Sequence, residues 1–147
     1  MKTESETLAR LMLKKIIEEV AVDPGKYNLL INAYLPFLVS YTLPFLRNKV
    51  DFAVFKSSLY KRWKESFGEN VPPPDLTAAI DYEGLQKAML ERLNNCRRDE
   101  KCRKELYAKL GFTGLIDAID VQRALLSIIN TIIFDCIVDV LNMRGEI

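Results

Sequence analysis

Residues 27–46 read YNLLINAYLPFLVSYTLPFL, twenty consecutive positions without a charge in a chain whose Asp, Glu, Lys and Arg content is 28%. The run decides the fold because it admits two incompatible readings. Its length suits a bilayer, which takes about 20 apolar residues. Yet it holds Asn28, Asn32, Ser40, Thr42, Pro36 and Pro44, and its flanks, Lys26 on one side and Arg47 and Lys49 on the other, barely specify an orientation. Its neighbours also carry apolar stripes that need a partner in water. The run is therefore expected to be the buried centre of a helical bundle, kinked or broken near its prolines, each of which removes a backbone donor and crowds the preceding turn. Few Val and Ile and no strict alternation argue against a strand.

Outward from this run, the periodicity stays helical. Upstream, Thr3 and Glu6 form a Thr-x-x-Glu capping box. Leu8, Met12, Ile16 and Val20 then recur every four residues, widened by Leu13 and Ile17, until Asp23-Pro24-Gly25 stops the helix. Downstream, Asp51 can cap a helix over 52–67, with Phe52, Phe55, Leu59 and Trp63 on one face and Gly68 at its end. Val71-Pro72-Pro73-Pro74 follows as an extended segment, read as a surface crossover over 69–75 inside a single 147-residue domain. A fourth helix starts at Asp75 or Asp81, carries Tyr82, Leu85, Met89 and Leu93, and ends at Asn94-Asn95. A short charged helix spans about 99–110 before Gly111. Thr113 opens the longest element, about 115–143, apolar except for a narrow stripe of Asp120, Arg123, Ser127, Thr131, Asp135, Asp139 and Asn142. That stripe is expected to face solvent. The sum is an all-α, single-domain bundle of five to six helices.

Composition narrows function mainly by exclusion. The formal net charge is +1, so any electrostatic recognition must be local. The chain has no histidine, which removes the Ser-His and Cys-His nucleophile pairs and every imidazole metal site. Three cysteines cannot close a four-ligand structural zinc site. Cys96 and Cys102 could pair if the chain turns between them; in one continuous helix they lie about 9 Å apart along the axis. Such a bond would suit an oxidising compartment or a thermophile. Cys136 reads as a small buried hydrophobe. The pairs Asp117/Asp120 and Asp135/Asp139 each share a helical face, but without a Glu-x-x-His partner they read as solvated. No Gly-rich phosphate loop or nucleophile elbow is present. No cofactor and no enzymatic activity are expected. The mixed-charge N-terminus lacks a signal-peptide pattern, and the expected location is cytoplasmic.

Two basic segments remain. Residues 47–64 hold six basic side chains against one acidic, interleaved with Tyr60 and Trp63; residues 97–109 hold six against three. Arg47, Lys49, Lys56, Lys61, Arg62, Trp63 and Lys64, with Arg97, Arg98, Arg103 and Lys104, are the candidate contact residues. A helix-turn-helix reading of 105–121 is set aside, because Asp117 and Asp120 would repel a DNA backbone at the start of its second helix. The leading expectation is a non-enzymatic regulator or inhibitor that docks an acidic surface of a larger protein machine. One alternative is nucleic-acid binding through the same cations with Trp63 stacking on bases. The other is an oligomeric structural or coat subunit, with Ser127, Thr131 and Asp135 at a helix–helix interface. The usage of Lys, Glu, Ile and Leu, with few Gln and no His, is similar to that of small proteins of thermophilic archaea and their viruses or plasmids.

Overall fold

The computed structural model describes residues 4–46, 48–76, 82–114 and 117–143. Six α-helices occupy these residues: α1 (Glu4–Val22), α2 (Tyr27–Leu46), α3 (Lys49–Phe67), α4 (Tyr82–Arg98), α5 (Glu100–Lys109) and α6 (Ala118–Met143). No strand occurs among the described residues, and the all-α expectation holds. Helix α6, 26 residues and about 39 Å long, packs against α2, α3 and α4, while α1 lies along α2. One cluster runs through Leu13, Ile31, Leu35, Leu59, Trp63, Met89, Leu125 and Ile133.

The helix ends follow local chemistry. Asp23 Oδ1 accepts the Gly25 N–H at 3.1 Å and opens a 3₁₀ turn, Pro24–Lys26, that runs directly into α2. Pro24 suits a first-turn position, where its missing N–H costs nothing. Helix α3 is capped by Asn48, not Asp51: Asn48 Oδ1 accepts the Val50 N–H at 2.8 Å, and Asp51 is buried in the first turn. Gly68, at φ +80°, closes α3 in a backbone region open to glycine. Helix α6 begins later than Thr113 suggests, after Asp117, whose Oδ1 accepts the Ile119 N–H at 2.9 Å. Helix α4 runs through Asn94-Asn95 to Arg98. Those amide oxygens accept from Arg97 and Arg98 one turn on, which offsets their weak helix propensity. The Thr3 end of the capping box lies outside the described residues; Glu6, its other end, is buried.

Helix α2 continues through Pro36 and Pro44. Both prolines lie on the exposed side, as do Asn32 and Ser40, whose carbonyls the missing N–H groups leave unbonded within the helix. Water can serve those carbonyls, so the helix does not break. On the inner side Leu30, Ile31, Leu35, Leu38 and Val39 are buried, and buried Thr42 donates to Leu38 O at 2.7 Å. The run is thus buried along one side only. Leu29 is 68% exposed and Phe37 56%.

The phase of α1 also differs from expectation. Ala9, Leu13 and Ile16 face the core, while Leu8 and Ile17 are 39% and 49% exposed. The turn of phase brings Arg10 over α6, where Nη2 donates to Leu141 O at 3.1 Å, with Glu6 Oε1 3.9 Å away. The segment after α3 is more than a surface crossover: Val71, Pro74 and Leu76 are buried. Trp63 Nε1 donates to Val71 O at 2.7 Å, pinning that strap to the core.

Candidate functional site

The eleven candidate contact residues separate into distinct environments. Arg47 lies outside the described residues. Trp63 is 1% exposed and stacks edge-on against Phe67 at 4.7 Å between centroids. It is a core residue, which removes it as a base-stacking platform. Arg62 turns toward α6, donating to Asp139 Oδ2 from Nε (3.3 Å) and Nη2 (3.0 Å) and lying 3.5 Å from Asp135 Oδ2 through Nη1. Ser58 Oγ donates to the same Asp139 oxygen at 2.5 Å. The lower part of the α6 polar stripe is therefore half-buried under α3 and is not a solvent-facing seam; Asp120 and Arg123, at its upper end, are exposed.

Other cations are also engaged within the chain. Lys64 pairs with Glu69 at 2.7 Å and Lys104 with Glu100 at 3.0 Å. Lys56 lies 5.7 Å from the Tyr60 ring centroid. Arg97 donates to Tyr107, Asn94 and Gln122, Arg103 to the Arg97 carbonyl, and Arg98 to Asn95. Asn70 also donates to Glu105, tying the strap to α5. Carboxylates and amides, some a turn away on the same helix and some on other helices, thus engage most of the cations that look available in the linear sequence.

Lys49 and Lys61 differ. Both are exposed, and neither meets a carboxylate among the described residues. They flank an open groove of about 740 Å³ on the outer side of α3, walled by Val50, Ala53, Val54 and Ser57, with Ser58 and Asp139 toward its floor. Val50 is 70% exposed. Twelve residues of helix put the two ammonium stems about 18 Å apart along the axis. Sequence reasoning placed Lys49 and Lys61 among the contacts but missed Val50 and Val54. Their signal was the solvent-side row Val50, Ala53/Val54, Ser57, Lys61 at helical spacing.

Two polar clusters lie away from the groove. Asn130 Nδ2 donates to Asn32 Oδ1 at 3.1 Å, while Tyr82 (2.8 Å) and Gln86 (3.1 Å) donate to Asn130 Oδ1, joining α2, α4 and α6. Beneath Arg62, Asp135 is held above the ordinary carboxylate range by burial, with Asp139 reinforcing and Arg62 opposing the shift. Burial likewise pushes the Cys136 thiol up to about 12, so it stays protonated near neutrality. Among the described residues, no group of three or more Cys, Asp or Glu is arranged to hold a metal ion.

Cys96 and Cys102 are joined by a disulfide, with Cα atoms 5.2 Å apart. The turn that permits it comes at Asp99, between α4 and α5. Among the described residues one helix segment, Ala118–Leu141 of α6 and not the charge-free α2, is long and apolar enough to cross a membrane. Its mean hydropathy is 2.1, and 56% of that window is buried. A core helix meets the same criterion.

No protein-family model, curated protein or solved structure matches the chain. The functional reading therefore rests on the groove and its charges.

Proposed function

We propose that this is a non-enzymatic interaction protein whose α3 groove receives an acidic, amphipathic helical segment of a larger protein. The observation that carries it is an apolar groove bounded by the unpaired cations Lys49 and Lys61. Helix-in-groove recognition uses this combination: apolar anchors fill the trough, and charges at its ends fix register and accelerate encounter. Val50 and Val54 supply the apolar wall. The lysines favour carboxylates about three turns apart on the incoming helix. Of the other candidate cations on α3, Lys56, Arg62 and Lys64 are engaged within the chain. Nucleic-acid binding loses its stacking residue with Trp63 in the core. An intracellular location together with the Cys96–Cys102 bond would suit a thermophile setting.

The test is affinity capture from the source cell with the wild-type chain and with Lys49→Glu/Lys61→Glu. The partner should be retained by the former, be released by salt, and be lost from the double variant. Equal capture by both chains would remove the groove as the contact. A gel shift at micromolar protein that falls steeply with salt would favour nucleic acid instead.

A further inference from the structure

We infer that the Cys96–Cys102 bond is a redox latch on α5: reduction by a dithiol leaves the bundle folded and lets α5 open from it. Helix α5 buries one side chain, Leu106, where α1 and α4 bury four each. At ten residues it is shorter than the length at which an isolated helix persists in water. Asp99 at its N-cap makes no side-chain capping bond. Its polar ties run back to the last turn of α4, from Arg97 to Tyr107 and from Arg103 to the Arg97 carbonyl. Beyond α4, Asn70 donates to Glu105. The backbone can pivot on both sides of the helix. Asp99 is extended, at φ −93° and ψ 123°. Gly111 and Gly114 follow at φ +75° and +74°, which glycine adopts without strain.

The disulfide holds the first of these pivots. Its cysteines are six positions apart, in the last turn of α4 and the first turn of α5. The bond therefore spans the corner and joins no distant segments. A ring this short disfavours the opened corner by at most a factor of about 50. Burial of Leu106 contributes a similar factor. Loss of the bond thus weighs heavily on α5 and lightly on α6, where Leu125, Ile129 and Ile133 are all 0% exposed. The bond is also reachable. Cys102 is half-buried, whereas Cys96 is 6% exposed. A thiolate of the reductant attacks Cys102 Sγ, the S–S bond breaks, and Cys96 leaves as a thiolate that takes up a proton. The second thiolate of the reductant then attacks its own sulfur in the mixed disulfide and releases Cys102. Two electrons pass from the dithiol to the cysteine pair, and the reductant ends as a disulfide. A protein dithiol serves in a cell, dithiothreitol in solution. Cys136, at 0% exposure on α6, takes no part. The inference is independent of the α3 groove.

Hydrogen exchange read by mass spectrometry tests it on the wild-type chain, air-oxidised and then reduced with dithiothreitol under native conditions. After denaturation the oxidised chain should titrate one thiol and the reduced chain three. On reduction, amides 103–110 should exchange at least about tenfold faster, and amides 125–133 should stay at least about tenfold better protected than those of α5. Reoxidation should restore the slow rates. Cys96→Ser/Cys102→Ser should match the reduced wild type. Exchange of α5 that reduction leaves unchanged overturns the inference. So does a reduced chain in which α5 is as protected as residues 125–133, because α5 then opens only with the whole bundle. Three titratable thiols in the oxidised chain, a bond that resists dithiothreitol until the bundle unfolds, or a double-serine chain that keeps α5 protected overturns it as well.

Discussion

Helices α2 and α6 are the two most apolar in the chain, and they use their apolarity in opposite ways. Helix α2 has no charge, yet one whole side faces outward, with Leu29 68% and Phe37 56% exposed. Helix α6 carries Asp120, Arg123, Asp135 and Asp139, yet Leu125, Ile129, Ile133, Cys136, Val140 and Leu141 are fully or nearly fully buried. The difference teaches that charge count does not decide which helix becomes the centre. Partners do. Helix α6 has neighbours on several sides, and α3 brings Arg62 and Ser58 to the aspartates that would otherwise prevent burial. Helix α2 meets α1, α6, α3 and α4 on its inner side, and nothing among the described residues covers the other.

The sharpest way to break that contrast is to truncate a leucine on each helix. Leu125→Ala, at 0% exposure, should cost about 3 kcal/mol of unfolding free energy, from lost transfer and a residual cavity. Leu29→Ala should cost less than about 0.5 kcal/mol under conditions where the chain is monomeric. Urea denaturation of both variants checks the pair; equal losses would mean that α2 is covered on both sides.

Next in size is the ionic seat of α6. Asp139→Ala removes the acceptor of both Ser58 and Arg62 and should destabilise by about 2 kcal/mol. The same substitution in an Arg62→Ala background should cost distinctly less, and a double-mutant cycle measures that coupling. Additive losses would mean the pair contributes nothing as a pair. On α2, Pro36→Ala should stabilise the monomer by about 1 kcal/mol, because an alanine N–H can bond to the Asn32 carbonyl. Thermal unfolding at low concentration reads this gain, and a loss would show that proline is required by the fold itself.

The smallest effect concerns Asp135. Its folded pKa is raised chiefly by burial, so the native state holds a proton that the unfolded chain releases near 3.8. Between that value and the raised folded one, native stability falls as pH rises. Relative to Asp135→Asn, the wild-type chain should therefore be more stable below this window than above it, by less than about 1 kcal/mol. Denaturation curves at acid and neutral pH test the sign; the reverse order would mean that Arg62 outweighs burial.

The helical class was legible because apolar residues repeat near every 3.6 positions and because Gly68, Gly111 and Asp23-Pro24-Gly25 punctuate the pattern. Which side of each helix turns inward was less legible. The inward side of α1 is the one that packs along α2 and carries Arg10 to Leu141, 131 residues away, and local periodicity has no access to such contacts. A stripe of aspartates looks the same in sequence whether it meets water or a guanidinium, so Asp135 and Asp139 read as solvated. For the same reason the basic segments looked more available than they are: the acceptors of Arg62, Arg97 and Arg103 come from other helices or from the backbone. The Asn32–Asn130–Tyr82–Gln86 network left no sequence trace, because each member alone is an ordinary polar residue on a helix. The disulfide hinged on whether the chain turns between its two cysteines, and it does so at Asp99.

The bond from Trp63 to Val71 has an optical consequence. Trp63 is the sole tryptophan of the chain, held dry in the core with its indole N–H engaged by the strap. Its emission is thus a single-site gauge of strap attachment. If the strap lifts while the helices persist, the fluorescence maximum shifts to the red before the far-ultraviolet helical signal decays. The chain thereby carries its own dye, placed to separate loosening of one loop from melting of the bundle.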